Sequence, residues 1–120
     1  MNLWEKLFDR KEQRVEKPKY EWIAVYFTLS GNEYGTQEER DAVHRFTDEL
    51  HRVINESGEG VFDGDEFGNG QGVLFMYGRD ADSLFRVVEP LLRNWPPLMN
   101  SGYVIKRYGA PPERQERIDF

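Results

Sequence analysis

The chain has no cysteine among its 120 residues, which excludes a disulfide framework, a thiolate metal site and a cysteine nucleophile. It also has no apolar run longer than a few residues, so no membrane-spanning helix and no signal-peptide core is visible. Basic side chains are the minority, 16 Lys and Arg against 22 Asp and Glu, for a formal net charge of −6. Such a surface is poorly suited to neutralising the phosphates of a nucleic acid. Histidine occurs only as His44 and His51. These absences lead us to expect a cytoplasmic protein with no cofactor, no metal and no nucleic-acid partner. What is present is a globular composition, 32% charged and 14% aromatic. A chain of this length makes one domain, large enough to bury a core without staples.

Residues 1–19 differ from the remainder. MNLWEKLFDRK places Leu3, Trp4, Leu7 and Phe8 at helical spacing, and the following stretch loses its apolar residues before Glu16-Lys17-Pro18-Lys19. We read a short amphipathic helix and a linker at 1–19, then a single α+β domain at 20–120. The N-terminal stretch is a candidate for weak association with a membrane surface through residues 1–11, or for folding back on its own domain.

Within the domain, Tyr20–Ser30 alternates as a strand, with Ile23, Val25, Phe27 and Leu29 on one face and Trp22, Ala24, Tyr26 and Thr28 on the other. Thr36 followed by Glu39 fits a capping box, and Val43, Phe46, Leu50, Val53 and Ile54 form a stripe that predicts a helix from Thr36 to Ser57. Gly58 suits a left-handed stop. Two strands follow, near Gly60–Asp65 and at Gln71–Tyr77, joined by a turn containing Asn69-Gly70. Asp80 caps a second helix through Trp95, with Pro90 expected to kink or shorten it. Tyr103–Tyr108 is the last clear strand, and the tail ERQERIDF either adds an extended edge or stays loose. The order strand–helix–strand–strand–helix–strand predicts a ferredoxin-like fold. In it, four antiparallel strands carry both helices on one face, and Lys106 and Arg107 protect an edge strand.

Chemistry is sparse. Between Arg52 and Arg79 there is no basic residue, while Glu56, Glu59, Asp63, Asp65 and Glu66 supply five carboxylates. Such a field attracts basic proteins and speeds their docking. Asp63-x-Asp65-x-x-Gly68 imitates the opening of a calcium loop, but Leu74 stands where the bidentate glutamate belongs. His44 and His51 are seven residues apart on one helix, about 10 Å, too far to share a metal. No serine lies in a nucleophile-elbow context. Trp22 and Tyr26 mark a sheet face suited to a dimer, a ligand or a covering segment.

The pattern GDEFGNG (64–70), LFMYGRDADSLF (74–85) and GYVIKRYG (102–109) resembles a group of small, uncharacterised bacterial proteins. That resemblance brings no catalytic residues with it. In profile, the small, acidic, cysteine-free chain is similar to immunity proteins that neutralise bacterial toxins. The function expected is therefore a non-enzymatic protein-binding module, an immunity protein or antitoxin. Glu56, Glu59, Asp63, Asp65 and Glu66 would steer a basic partner, and Phe62 or Phe67 would anchor it. The alternative is a small-ligand-binding or regulatory homodimer, with its ligand near Trp22 and Tyr26.

Overall fold

A strand that is apolar on both faces has only one stable place, between two others and under cover. In the computed structural model, which describes residues 20–31, 33–99, 101–109 and 114–120, β1 (Glu21–Thr28) holds that place. It runs antiparallel to β3 (Gln71–Gly78) on one side and β4 (Tyr103–Arg107) on the other, so that Val25 opposes both Leu74 and Val104. β2 (Val61–Gly68) pairs with β3, and β5 (Gln115–Asp119) with β4, in the sheet order β2-β3-β1-β4-β5. All four pairings are antiparallel.

Helix α1 (Gln37–Ser57) starts and stops where its sequence dictates. The Thr36 hydroxyl accepts from the Glu39 amide at 3.1 Å, and a Glu39 carboxylate oxygen accepts from the Thr36 amide at 2.9 Å. At the other end Gly58 takes φ +70°, a left-handed conformation that glycine enters without a side-chain penalty. Helix α2 (Ala81–Arg93) is capped by Asp80, whose side chain accepts from the Ser83 amide. Pro90 forfeits one helical hydrogen bond near the C-terminal end, and the helix runs three residues past it. Pro96–Leu98 then forms a 3-10 turn.

Both helices lie on one side of the sheet. Their buried residues, among them Leu50, Ile54, Leu84, Val88 and Leu92, form one core with Ile23, Val25, Phe27, Leu74, Met76 and Val104. Phe27 and Phe46 both pack against Trp95, the second pair stacked at 4.2 Å. A second, smaller cluster of Trp22, Ala24 and Phe75 occupies the opposite face.

The structure corrects the expected sheet in one respect: it has five strands rather than four. β5 pairs along the whole of β4, from Tyr103 opposite Asp119 to Arg107 opposite Gln115. The Phe120 amide donates to the Gly102 carbonyl at 3.0 Å, and Ile118 and Phe120 pack against the core. β4 is therefore interior, and Lys106 is 7% exposed instead of guarding an edge. The polar composition of Gln115–Asp119 hides its alternation, because only Ile118 and Phe120 reach inward. The N-terminal helix and linker expected at 1–19 lie outside the described residues.

The pairing of Phe27 with Gly72 sets a tight constraint. A Cβ at Gly72 would come within 2.3 Å of the Phe27 ring, whereas one at Gly68 would meet nothing within 4 Å. Gly72→Ala is expected to lower the unfolding free energy by about 1–3 kcal/mol. Gly68→Ala should cost clearly less, and urea denaturation of both variants checks the difference.

Candidate functional site

Charge is distributed unevenly along the chain. Residues 33–70 hold eleven acidic and three basic side chains, a net of −8, while the rest of the chain carries +2. The fold gathers this stretch: α1 packs beside β2, and β2 is one of the two outer strands. One edge of the molecule is thus acidic along a helix and the adjoining strand.

Within that edge the five expected carboxylates are not equivalent. Glu59 and Glu66 are exposed. Glu56 is exposed but bonded to Arg52 at 3.1 Å, and the same guanidinium also binds Glu49. That trio retains one net negative charge. Asp65 is half-buried, 3.8 Å from His44 Nε2. Asp63 is the extra residue of a β-bulge between Phe62 and Gly64, and its Oδ2 is out of contact with solvent. The bulge twists and interrupts the outer strand, a common means of discouraging edge-to-edge pairing.

Of the two expected aromatic anchors, Phe62 is 7% exposed and belongs to the core, with the His51 ring 4.7 Å away. Phe67 is half-buried, packed against that core and edge-on to His44 at 6.2 Å. The two histidines thus lie over the aromatics of β2. Asp63–Gly68 is a strand and not a cation-binding loop. Among the described residues no three His, Asp or Glu side chains converge as metal ligands.

Sequence reasoning missed the exposed hydrophobics that flank the acidic edge: Tyr34, 54% exposed, and Val61, 44% exposed. Tyr34 overhangs a cleft of about 690 Å³ whose walls include Thr36, Arg40, Asp65, Glu66 and Phe67. The cleft is shaped by the β1–α1 loop, which is tied to the β2–β3 turn by Leu29 N–H to the Gly70 carbonyl and Gly70 N–H to the Glu33 carbonyl, both 2.8 Å. Arg40 donates to the carbonyls of Tyr34 and Gly35 at 3.0 and 2.9 Å. Glu39 accepts from the Ser30 and Thr36 amides, each at 2.9 Å, and these two backbone bonds hold its carboxyl below the usual glutamate range. Thr36, Glu39 and Arg40 are therefore occupied in building the loop. The arrangement offers carboxylates and an aromatic ring to a cation.

On the opposite sheet face, Trp22 is 1% exposed, so it is not the open surface its position implied. Tyr26 is half-buried and stacks on Tyr103 at 4.7 Å, and burial raises its pKa, with the neighbouring Tyr103 adding to the effect. An ionic cluster around a buried lysine, with half-exposed carboxylate partners, was also missed. Lys106 Nζ lies 2.8 Å from Asp82 Oδ1, 3.2 Å from Glu116 Oε1 and 4.9 Å from the centre of the Phe85 ring. The Tyr108 hydroxyl donates to the same Asp82 oxygen at 2.6 Å. Burial works against the ammonium, yet its bonds to Asp82, Tyr108 and Glu116 carry its pKa above the ordinary lysine range. It stays charged at neutral pH and acts as a structural cation. The signal was the alternation of β4, which puts Lys106 on the same face as Val104.

Comparison with protein-family models, with curated proteins and with solved structures finds no match. No helix among the described residues is long and apolar enough to cross a membrane.

Because Glu39 is ionised more readily in the folded chain, its stabilising effect is full above the usual glutamate range and fades as pH falls through the lowered value. Glu39→Ala is expected to cost about 1 kcal/mol at pH 7. The gap from the parent should narrow on acidification below pH ~4, as chemical denaturation at several pH values would reveal.

Proposed function

We propose that this protein is a non-enzymatic protein-binding module, most concretely an immunity protein or antitoxin that engages a basic toxin domain through its acidic edge. The observation that carries the reading is the gathering of the −8 stretch, residues 33–70, onto one helix and the adjoining outer strand. A field of that sign accelerates the approach of a cationic surface and orients it before contact. Glu59 and Glu66 supply exposed charge, and Glu56 adds to it through the trio it forms with Arg52 and Glu49. The apolar contact falls to Tyr34 and Val61 rather than to Phe62, since interfaces rest on a few accessible aromatic or aliphatic anchors. The framework that presents them is ferredoxin-like with an added fifth strand, and its chemistry is binding rather than turnover.

The test begins with affinity capture from the native host and continues with association kinetics on the captured protein. The combined variant Glu56→Gln, Glu59→Gln, Glu66→Gln is expected to associate about 10-fold more slowly at low salt and to lose most of its salt dependence. Tyr34→Ala should instead hasten dissociation. A partner whose association rate ignores the three substitutions at every ionic strength rules out the acidic edge as its docking surface.

A further inference from the structure

The cleft beside Tyr34 has a chemistry of its own, apart from the field around it. Strand alternation decides which carboxylate faces it. Asp65 opposes Leu74, whose side chain lies in the core beneath the helices, so Asp65 projects on the helix side of β2. Glu66 opposes Val73, which packs with Trp22 on the other face. Phe67 stands on the same side as Asp65 and packs against the core. Asp65 is half-buried, and its ionic partner among the described residues, His44 Nε2 at 3.8 Å, stands beyond hydrogen-bond distance. Arg40 also lines the cleft, but its guanidinium is engaged elsewhere. Nη1 donates to the Tyr34 and Gly35 carbonyls, and Nη2 to Gln37 Oε1 at 3.2 Å.

The geometry points to this cleft as a preformed socket for one arginine side chain of a basic partner. The guanidinium would sit between the Tyr34 ring and the Asp65 carboxylate, with its stem along Phe67. The inference rests on the reading of the protein as a binder of basic proteins, and it names the group that is gripped. Three observations support it. At about 690 Å³ the cleft falls within the ordinary range for ligand sites, roughly 300–1,000 Å³. Its walls are set before anything binds, because Gly70 ties the loop to the β2–β3 turn while Glu39 and Arg40 fasten it from α1. Little ordering is left to oppose binding. The molecule also holds a guanidinium in this way at its other margin, where Arg117 lies over the Tyr103 ring at 3.7 Å and bonds Asp119 at 2.9 Å. A planar guanidinium suits a phenol face and a carboxylate together, as a compact ammonium does not.

The socket can be tested without the partner. Titrated into the isotope-labelled full chain at constant ionic strength, n-butylguanidinium is expected to shift the Tyr34, Asp65 and Phe67 amides saturably. A Kd of ~10–100 mM fits one stacked, singly paired group. Asp65→Asn, which keeps the side-chain shape, should weaken that binding at least ~5-fold, and Tyr34→Ala on the exposed rim should weaken it as well. With the captured partner, Asp65→Asn should hasten dissociation far more than it slows association. Shifts that are absent, unsaturated, unchanged in Asp65→Asn or equally produced by n-butylammonium would each overturn the socket and leave the acidic edge to its own rate measurement. A saturable, Asp65-dependent shift beside a partner that ignores the Glu56, Glu59 and Glu66 substitutions would keep the socket and remove only the steering.

Discussion

The structure depends on β1 being buried from both sides at once. Ile23, Val25 and Phe27 need the helices, while Trp22 and Ala24 need cover on the other face. A strand with these two demands takes the middle of a sheet, and it draws β3 and β4 alongside it. The remaining elements are arranged around that requirement. α1 and α2 supply one roof, β2 and β5 complete the two margins, and Glu21 fastens the start of β1 to what surrounds it. Its carboxylate accepts from the Ala81 amide at the head of α2 and from the Gly109 amide beyond β4, at 2.8 and 3.1 Å. One side chain thus joins strand, helix and turn.

The two margins of the sheet are chemically unlike. The β2 side carries the acidic helix and a bulged strand that is poorly shaped for further pairing. The β5 side carries Arg114 over the Tyr108 ring, Arg117 over Tyr103 and Arg93 over Phe120. Arg117 also pairs with Asp119 and Arg93 with Glu89, while Asp82 and Glu116 bind Lys106, so these charges neutralise one another on that side. Residues 33–70, at the other margin, keep their net of −8, and this asymmetry gives the binding proposal a direction.

The strongly patterned parts of the fold are legible in the amino-acid sequence. The alternation of β1, the Thr36–Glu39 capping box and the Gly58 stop need only local chemistry, and the structure contains all three. What stays illegible depends on long-range partners. β5 shows only Ile118 and Phe120 as inward residues, too few to announce a strand until β4 stands beside them. Lys106 looks like an edge guard because its neutralising groups, Asp82 and Glu116, are 24 residues upstream and ten downstream. At the candidate site, composition alone shows the acidic stretch. It does not reveal that Arg52 holds Glu56, or that the ring of Phe62 turns inward while Tyr34 stays out.

The place of β1 in the sheet also bears on how the chain is made. Its neighbours are β3, beginning at Gln71, and β4, beginning at Tyr103. On the ribosome the most hydrophobic strand therefore emerges first and waits for dozens of further residues before it can pair on either side. Topologies with such distant pairings fold slowly and leave sticky intermediates exposed. Until then both of its apolar faces, Ile23, Val25 and Phe27 on one side and Trp22 and Ala24 on the other, stand open to water.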